Sequence, residues 1–396
     1  MKRDFIHTSE SVTEGHPDKL CDQISDAVID RFLEQDFCAR VTAECAVSLS
    51  VVFIAARFGS PVKVDFPNVA RKVIRRIGYV DHEFNFKTCS ILTSLKEMAP
   101  EDRGVGQENL CREDLGDIPI SDQVTVFGFA CNHTPELMPL PISLAHKLSK
   151  RLSQVRLDGI LPYLAPDGTS QVAVEFKDHR PSRIHSITIN TSQTDRSFPK
   201  PERLRNDILE SVVNQAFRNE ELRPDTETRI FVNPGGPLKL GGPAVHSGLT
   251  GRKNAIDTYG GFSRNSGSAL SGKDPLRIDR VGAYAARYAA KNVVAAGLAE
   301  RCEVQLSYTM GMLGPASVQV ETMGTATIPE ERIVALVREH FDFTLGGIVR
   351  QFDLLRLPSL TKGGFYRKLA AYGHFGRTDI DAPWERTDRM DELAAG

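Results

Sequence analysis

The sequence predicts an α+β fold with mixed or antiparallel sheets, and three observations carry that assignment. Strand-length runs, alternating or wholly apolar, are followed by runs of helical period in a strand–strand–helix order that returns about three times. The 396 residues are 41% hydrophobic and 25% charged, an ordinary globular composition in a chain long enough for two or three domains. No clean repeat underlies the recurrence; only the order of elements recurs.

The elements follow from the residues in turn. Thr8–Lys19 lacks apolar period and reads as a loop. Leu20, Ile24, Ala27, Val28 and Leu33 then recur at helical spacing, with Pro17 suited to the first helical position and His16 near the N-cap. Val41, Ala43, Cys45 and Val47 alternate as a strand does, and Ser50–Ala56 is a buried strand. A helix is expected over Pro67–Ile77 and a strand over Cys89–Leu95. Lys96–Ser121 is polar and glycine-bearing, the texture of a long mobile loop of the kind that forms lids. Val124–Ala130 is a strand, and Pro141 opens a helix through Val155. Gln171–Phe176 and Ile184–Asn190 form a strand pair, Glu202–Phe217 an amphipathic helix and Thr228–Val232 a strand. An alanine-rich helix over Asp279–Ala299, strands at Cys302–Met310 and Ser317–Glu321, and a helix over Pro329–Phe341 complete the series.

Several functional classes are excluded. A net charge of −2 argues against a generic nucleic-acid binder. The lack of a long uncharged apolar run excludes a membrane-spanning helix. Met1–His7 has no apolar signal core, and the seven cysteines include no C-x-x-C pair. The expectation is a cytoplasmic protein with reduced, buried thiols.

The chemistry concentrates in two stretches. Ten of the 31 glycines lie between Pro234 and Lys273, interleaved with Arg252, Lys253, Arg264 and Lys273 and followed by Arg277. Glycine lets backbone amides approach an anion, and a polyphosphate needs fixed amides together with several cations. Gly267–Lys273 has the G-x-x-x-x-G-K spacing, but Asp274 stands where a P-loop needs Ser or Thr, and no apolar strand precedes it. The second stretch is His16-Pro17-Asp18-Lys19 at a helix start, where the dipole favours anions and Asp18 can hold a bridging divalent ion. Glu44, Asp122 and Asp279 are single carboxylates in unusual places, each compatible with a purely structural role.

Together these stretches resemble the methionine adenosyltransferase (S-adenosylmethionine synthetase) family. The matching segments are Thr8–Lys19, Asp22–Ala27, Gly248–Lys253, Asp257–Gly261, Ser271–Pro275, Tyr284–Tyr288 and Tyr372–Arg377, in order and spread over nearly the whole chain. The resemblance implies three similar α/β units in a pseudo-threefold arrangement, with approximate and discontinuous boundaries near 1–135, 136–250 and 251–396. It implies an enzyme that joins methionine to ATP, expels triphosphate, and cleaves it to diphosphate and phosphate. It also implies a homodimer or homotetramer with active sites at the subunit interface, and Mg²⁺ and K⁺ as cofactors. By matching position, His16 would assist triphosphate departure, and Arg252, Lys253 and Lys273 would bind phosphates, with Lys19 and Arg277 adding charge. Asp18 and Asp279 would be Mg²⁺ ligands and Glu44 would hold K⁺. Asp122 would contact the substrates and Asp167 the adenosine. Arg57, Met98 and His246 would line the amino-acid side.

Departures accompany the matches. The family's glycine-rich stretch reads Pro119-Ile120-Ser121-Asp122-Gln123-Val124 here, a stiffer loop. Thr169 stands where the family has a lysine. Arg57 and His246 replace acids that would pair with methionine's ammonium, so attraction shifts toward a carboxylate. Two alternatives therefore stand beside methionine adenosylation: a thioether or other nucleophile lacking the ammonium, or a nucleotide-binding partner without turnover.

Overall fold

A computed structural model describes residues 4–80, 83–99, 118–194 and 199–396. The chain forms three α/β units. The first sheet has the order β4 (Ser90–Glu97), β3 (Val51–Gly59), β2 (Arg40–Ser48), β9 (Gly248–Leu249), antiparallel except for β3 with β4. Helices α1 (Pro17–Leu33) and α2 (Phe66–Ile77) pack on it. The second sheet has the order β1 (Phe5–Val12), β6 (Leu164–Lys177), β7 (Arg180–Gln193), β8 (Arg229–Val232), covered by α3 (Leu140–Leu157). The third has the order β11 (Ser317–Glu321), β10 (Arg301–Tyr308), β5 (Val124–Cys131), against α5 (Ile278–Ala295) and α6 (Glu330–His340). The units interleave along the chain: β1 completes the second sheet, and β9 returns to the first.

The predicted elements are present with small shifts, and four differences are informative. Residues 8–12, expected as loop, belong to β1. Its inward positions include Ser9 and Ser11, buried but polar, so the hydrophobic alternation that marks a strand is missing. The helix expected over Glu202–Phe217 is α4 (Pro201–Ile208) running into a π-helical turn at Leu209–Val213. Of the expected loop at Lys96–Ser121, the first residues extend β4 to Glu97, and residues 100–117 lie outside the described set. Cys21, Cys45, Cys89, Cys131 and Cys302 are buried free thiols as expected, whereas Cys38 is disulfide-bonded, a pairing that cysteine spacing does not report.

Helix α1 positions the functional loops. Its N-cap is as expected: His16 Nδ1 accepts the Asp18 backbone N–H at 3.2 Å, with Pro17 in the first turn. One face carries Leu20, Ile24 and Val28 into the core. Another carries Asp18, Asp22, Asp26 and Asp30, all buried, at successive four-residue spacings that stack them in one row. Each accepts backbone N–H groups from a remote segment. Asp18 Oδ1 takes Leu249 at 3.0 Å, Asp22 Oδ1 takes Gly251 at 2.8 Å, and Asp26 Oδ1 takes Gly272 at 2.8 Å. Asp30 takes Phe365, Tyr366 and Arg367 at 2.9–3.0 Å. Two glycines let these segments approach: a Cβ at Gly248 would sit 2.2 Å from the Pro17 backbone, and one at Gly272 (φ 79°) 2.1 Å from Ala43 O. Asp26 also pairs bidentately with Arg280 of α5, both distances 2.8 Å, which locks the first and third units together.

The outer face of the first sheet is open. Leu249, Ala46, Phe53 and Leu92 lie in one cross-strand row on it, with Phe53 41%, Leu249 46% and Leu92 55% exposed.

Candidate active site

The residues singled out in the sequence gather into two groups. The first forms where the α1 N-terminus meets β9 and the following cations. Arg252 Nε lies 3.7 Å from Asp18 Oδ1, and Lys253 Nζ lies 4.0 Å from both Asp18 Oδ2 and Glu10 Oε1. His16 Nδ1 is 3.8 Å from Asp18 Oδ2. His16 also faces a cavity of about 320 Å³ lined by Asp167, Thr169, Asn190, Asn233, Leu238 and His246, among others. Asp167 Oδ2 accepts the Gly242 N–H at 2.7 Å and lies 3.1 Å from His246 Nε2.

The second group surrounds the α5 N-terminus. Lys273 Nζ pairs with Asp279 Oδ1 at 3.3 Å, and Arg277 Nη2 with Asp122 Oδ1 at 3.0 Å. Arg277 precedes α5, with Asp279 in the first turn, where a carboxylate complements the helix dipole.

Both groups hang on one edge of β2. Lys273 bridges to Thr42, and Leu249 pairs with Ala46. Thr42 and Ala46 are four residue steps apart along the strand, about 13 Å. Among the described residues no ion pair joins the two groups within one chain. Glu44 and Arg57 occupy the open sheet face between them, in the rows Glu44–Ala55–Ser94 and Thr42–Arg57–Lys96. Met98 follows β4, its backbone N–H donating to Phe58 O at 2.7 Å.

Lys19 is a correction. Its ammonium is fully buried between Asp22, at 2.8 Å, and Asp257, and does not line the cavity beside His16. Burial opposes its charge, but the two carboxylates outweigh it and raise its pKa. Lys19 holds α1 to the segment after Lys253 and is not a phosphate ligand. The P-loop spacing at Gly267–Lys273 is likewise structural, since Asp274 accepts the Val41 and Leu276 N–H groups at 2.7 and 2.8 Å. Sequence reasoning did not single out Glu10, Asn190 and Asn233; Glu10 lies within the matching Thr8–Lys19 segment, whereas Asn190 and Asn233 are remote in the chain and marked by no local motif.

Electrostatics set the protonation states. Burial is the main cause that lowers the His16 pKa to about 4, aided by Lys253 and His246 and opposed by Asp167 and Asp18. His16 is therefore neutral near pH 7. With Nδ1 accepting from Asp18, its proton sits on Nε2 as a donor. The hydrogen bond to Asp167 raises the His246 pKa. Burial lowers that of Lys273, with Asp279 opposing.

The donor set suits hard cations. Asp279 Oδ2 is buried without a hydrogen-bond partner, an orphan that a divalent ion would satisfy, and Asp18 Oδ2 lies 4.0 Å from Lys253 Nζ. A cavity of about 480 Å³ between α1, α2 and Gly363–Gly364 contains none of these residues.

Comparison with known proteins decides the family. Models of the S-adenosylmethionine synthetase N-terminal, central and C-terminal domains match residues 4–100, 117–238 and 240–386. The chain belongs to the S-adenosylmethionine synthetase family. It is similar to the S-adenosylmethionine synthase of Gloeothece citriformis (strain PCC 7424), at 46% identity over 98% of this chain and 96% of that one. The enzymes of that name from Trichodesmium erythraeum (strain IMS101) and Trichormus variabilis (strain ATCC 29413 / PCC 7937) are 47% and 48% identical, each over 99% of this chain and 97% of theirs. The three α/β units are the synthetase fold expected from the sequence. No helix among the described residues is long and apolar enough to cross a membrane.

Proposed function

We propose that this site forms S-adenosylmethionine from methionine and ATP and then cleaves the expelled triphosphate to phosphate and diphosphate. The observation that carries the proposal is the convergence of Asp18, Arg252 and Lys253 beside His16, which itself lines a cavity of about 320 Å³. The sulfur lone pair attacks C5′ of ATP, the C5′–O bond breaks, and its electrons leave with the triphosphate. Charge accumulates on that leaving group, so cations fixed beforehand stabilise the transition state, each aligned donor supplying about 3–4 kcal/mol. Neutral His16 offers its Nε2–H to the departing oxygen. Arg252 and Lys253 face the phosphate chain, and Lys273 and Arg277 supply the remaining positive charge. Asp167 orients the adenosine and Asp122 contacts the substrates.

Mg²⁺ held by Asp18 and Asp279 would supply charge neutralisation of the phosphates, and K⁺ at Glu44 would support the site electrostatically. Glu44 is exposed on the open sheet face, so further oxygens would come from whatever covers that face.

The two groups would be joined by dimerisation. A second copy laid on the apolar row Leu249–Ala46–Phe53–Leu92 would bury it and bring one chain's His16 group to its partner's Lys273 group, in a homodimer or a homotetramer of such pairs. A cytoplasmic setting accords with the ATP requirement.

The test is incubation with ATP, Mg²⁺, K⁺ and methionine, followed by mass spectrometry for the sulfonium and assay of phosphate and diphosphate. Absence of a sulfonium with every thioether tried would remove the proposal.

One observation favours a second substrate. His246 enters the cavity with its proton affinity raised by Asp167, and Arg57 is exposed on the sheet face. Both favour a carboxylate over an ammonium. A substrate screen with methionine and its deaminated and decarboxylated relatives discriminates: a preference for the deaminated acid supports this reading, and ordinary use of methionine alone excludes it.

A further inference from the structure

We propose that His16, Asp167 and His246 form a binding site for one divalent transition-metal ion of the zinc or cobalt type, distinct from the magnesium positions. A nitrogen of each imidazole and a carboxylate oxygen of Asp167 lie within 4.8 Å of one another. His246 Nε2 is 3.1 Å from Asp167 Oδ2, and the two imidazole centroids are 5.0 Å apart. In a tetrahedral zinc site, bonds of about 2.0–2.2 Å place ligand atoms about 3.3–3.5 Å apart. The three groups thus need to close by at most about 1.5 Å at their widest pair.

Two ligands are already fixed and the third is partly exposed. His16 is held at the N-terminus of α1 and is 8% exposed. Asp167 is 8% exposed, its Oδ2 pinned by Gly242 N–H and its Oδ1 buried with no hydrogen-bond partner. The His246 side chain is 43% exposed and already meets Asp167 Oδ2 at 3.1 Å. The fourth position faces the cavity, where water or an anionic group fits.

The donor chemistry selects the ion. Two imidazoles and one carboxylate favour zinc, cobalt, nickel or copper over magnesium, which prefers oxygen alone. Binding displaces into solvent the proton shared by His246 and Asp167.

The inference stands apart from adenosyl transfer, because binding is read without turnover. The full-length protein, stripped with chelator and dialysed, is titrated with Co²⁺ at neutral pH in excess Mg²⁺ and without nucleotide. The expected result is one Co²⁺ per chain with the intense visible bands of four-coordinate cobalt, displaced by Zn²⁺. His246→Ala and His246→Gln weaken uptake by at least about tenfold, while Asp279→Asn leaves it unchanged. Absence of the bands, or Co²⁺ affinity unaltered in both His246 variants, overturns the proposal.

Discussion

Asp26 Oδ1 accepts the backbone N–H of Gly272 at 2.8 Å, one residue before Lys273. The same carboxylate holds Arg280, so one buried acid fixes both the loop that carries Lys273 and the helix that begins at Asp279. Asp18 and Asp22 do the same for the loop that carries Arg252 and Lys253. Helix α1 thus presents His16 at its own end and docks both cation loops along its side.

Asp26→Ala should cost about 3–5 kcal/mol of stability, because it leaves the fully buried Arg280 guanidinium unpaired. Denaturant unfolding measures this. Gly272→Ala tests the same docking from the other side. Its positive φ and the contact with Ala43 O predict a loss of about 1–3 kcal/mol, together with loss of turnover. An Asp26→Ala protein as stable as the parent would refute the docking role.

Lys273→Met and Lys19→Met should fail differently. Lys273 is partly accessible and, in the proposed function, balances charge on the leaving group, so its loss should lower kcat about 100- to 1,000-fold with a near-normal unfolding curve. Lys19 is enclosed by Asp22 and Asp257, so its loss should appear first as destabilisation of about 3–5 kcal/mol. Paired unfolding and steady-state measurements separate them. A Lys19→Met protein of normal stability with a selective kcat defect would restore Lys19 to the chemistry.

The two cavity histidines should titrate on opposite sides of the ordinary value. For His16, lowered to about 4, the folded protein binds fewer protons than the unfolded chain between pH 6.5 and 4. Its contribution to stability is therefore lost as pH falls through that window, by about 1.4 kcal/mol per pH unit. For His246 the folded pKa is raised, so its contribution is present below 6.5 and is lost as pH rises through the raised value. Ring-proton NMR, assigned with His16→Asn and His246→Gln, should show His246 charged and His16 neutral at pH 5.5. Both titrating together near 6.5 would contradict the assigned burial.

Phe53→Glu and Leu92→Lys place charge in the exposed apolar row of the first sheet. Each should shift sedimentation toward monomer and abolish turnover while leaving secondary structure intact. A fully active monomer would show that the open face is not the subunit interface.

Much of this was readable from the chain. The helix beginning at Pro17, strand β2 and the alanine-rich helix stand where the sequence pattern placed them, and β3 stands where its apolar run placed it but with Val51 and Phe53 exposed, not buried on both faces as expected. Strand β1 was not readable, because Ser9 and Ser11 fill its inward positions and interact through side-chain hydrogen bonds. The carboxylate row of α1 illustrates the limit for the site. Its four-residue spacing is plain in the sequence, but the backbone N–H groups that it docks lie more than 200 residues away and carry no sequence signal. Lys19 misled for the related reason that a cation at a helix start resembles an anion ligand until its buried carboxylate partners are seen.

The central claim is that His16 of one subunit works with Lys273 of the other, and subunit mixing tests it most directly. His16→Ala and Lys273→Met chains, each inactive alone, are co-expressed and the mixed dimers purified by two different tags. If each site draws on both chains, one site of the mixed dimer carries both defects and the other carries none. Turnover should then return to about half that of the parent dimer. Mixed dimers as inactive as either parent variant would place both residues in the site of a single chain and contradict the account.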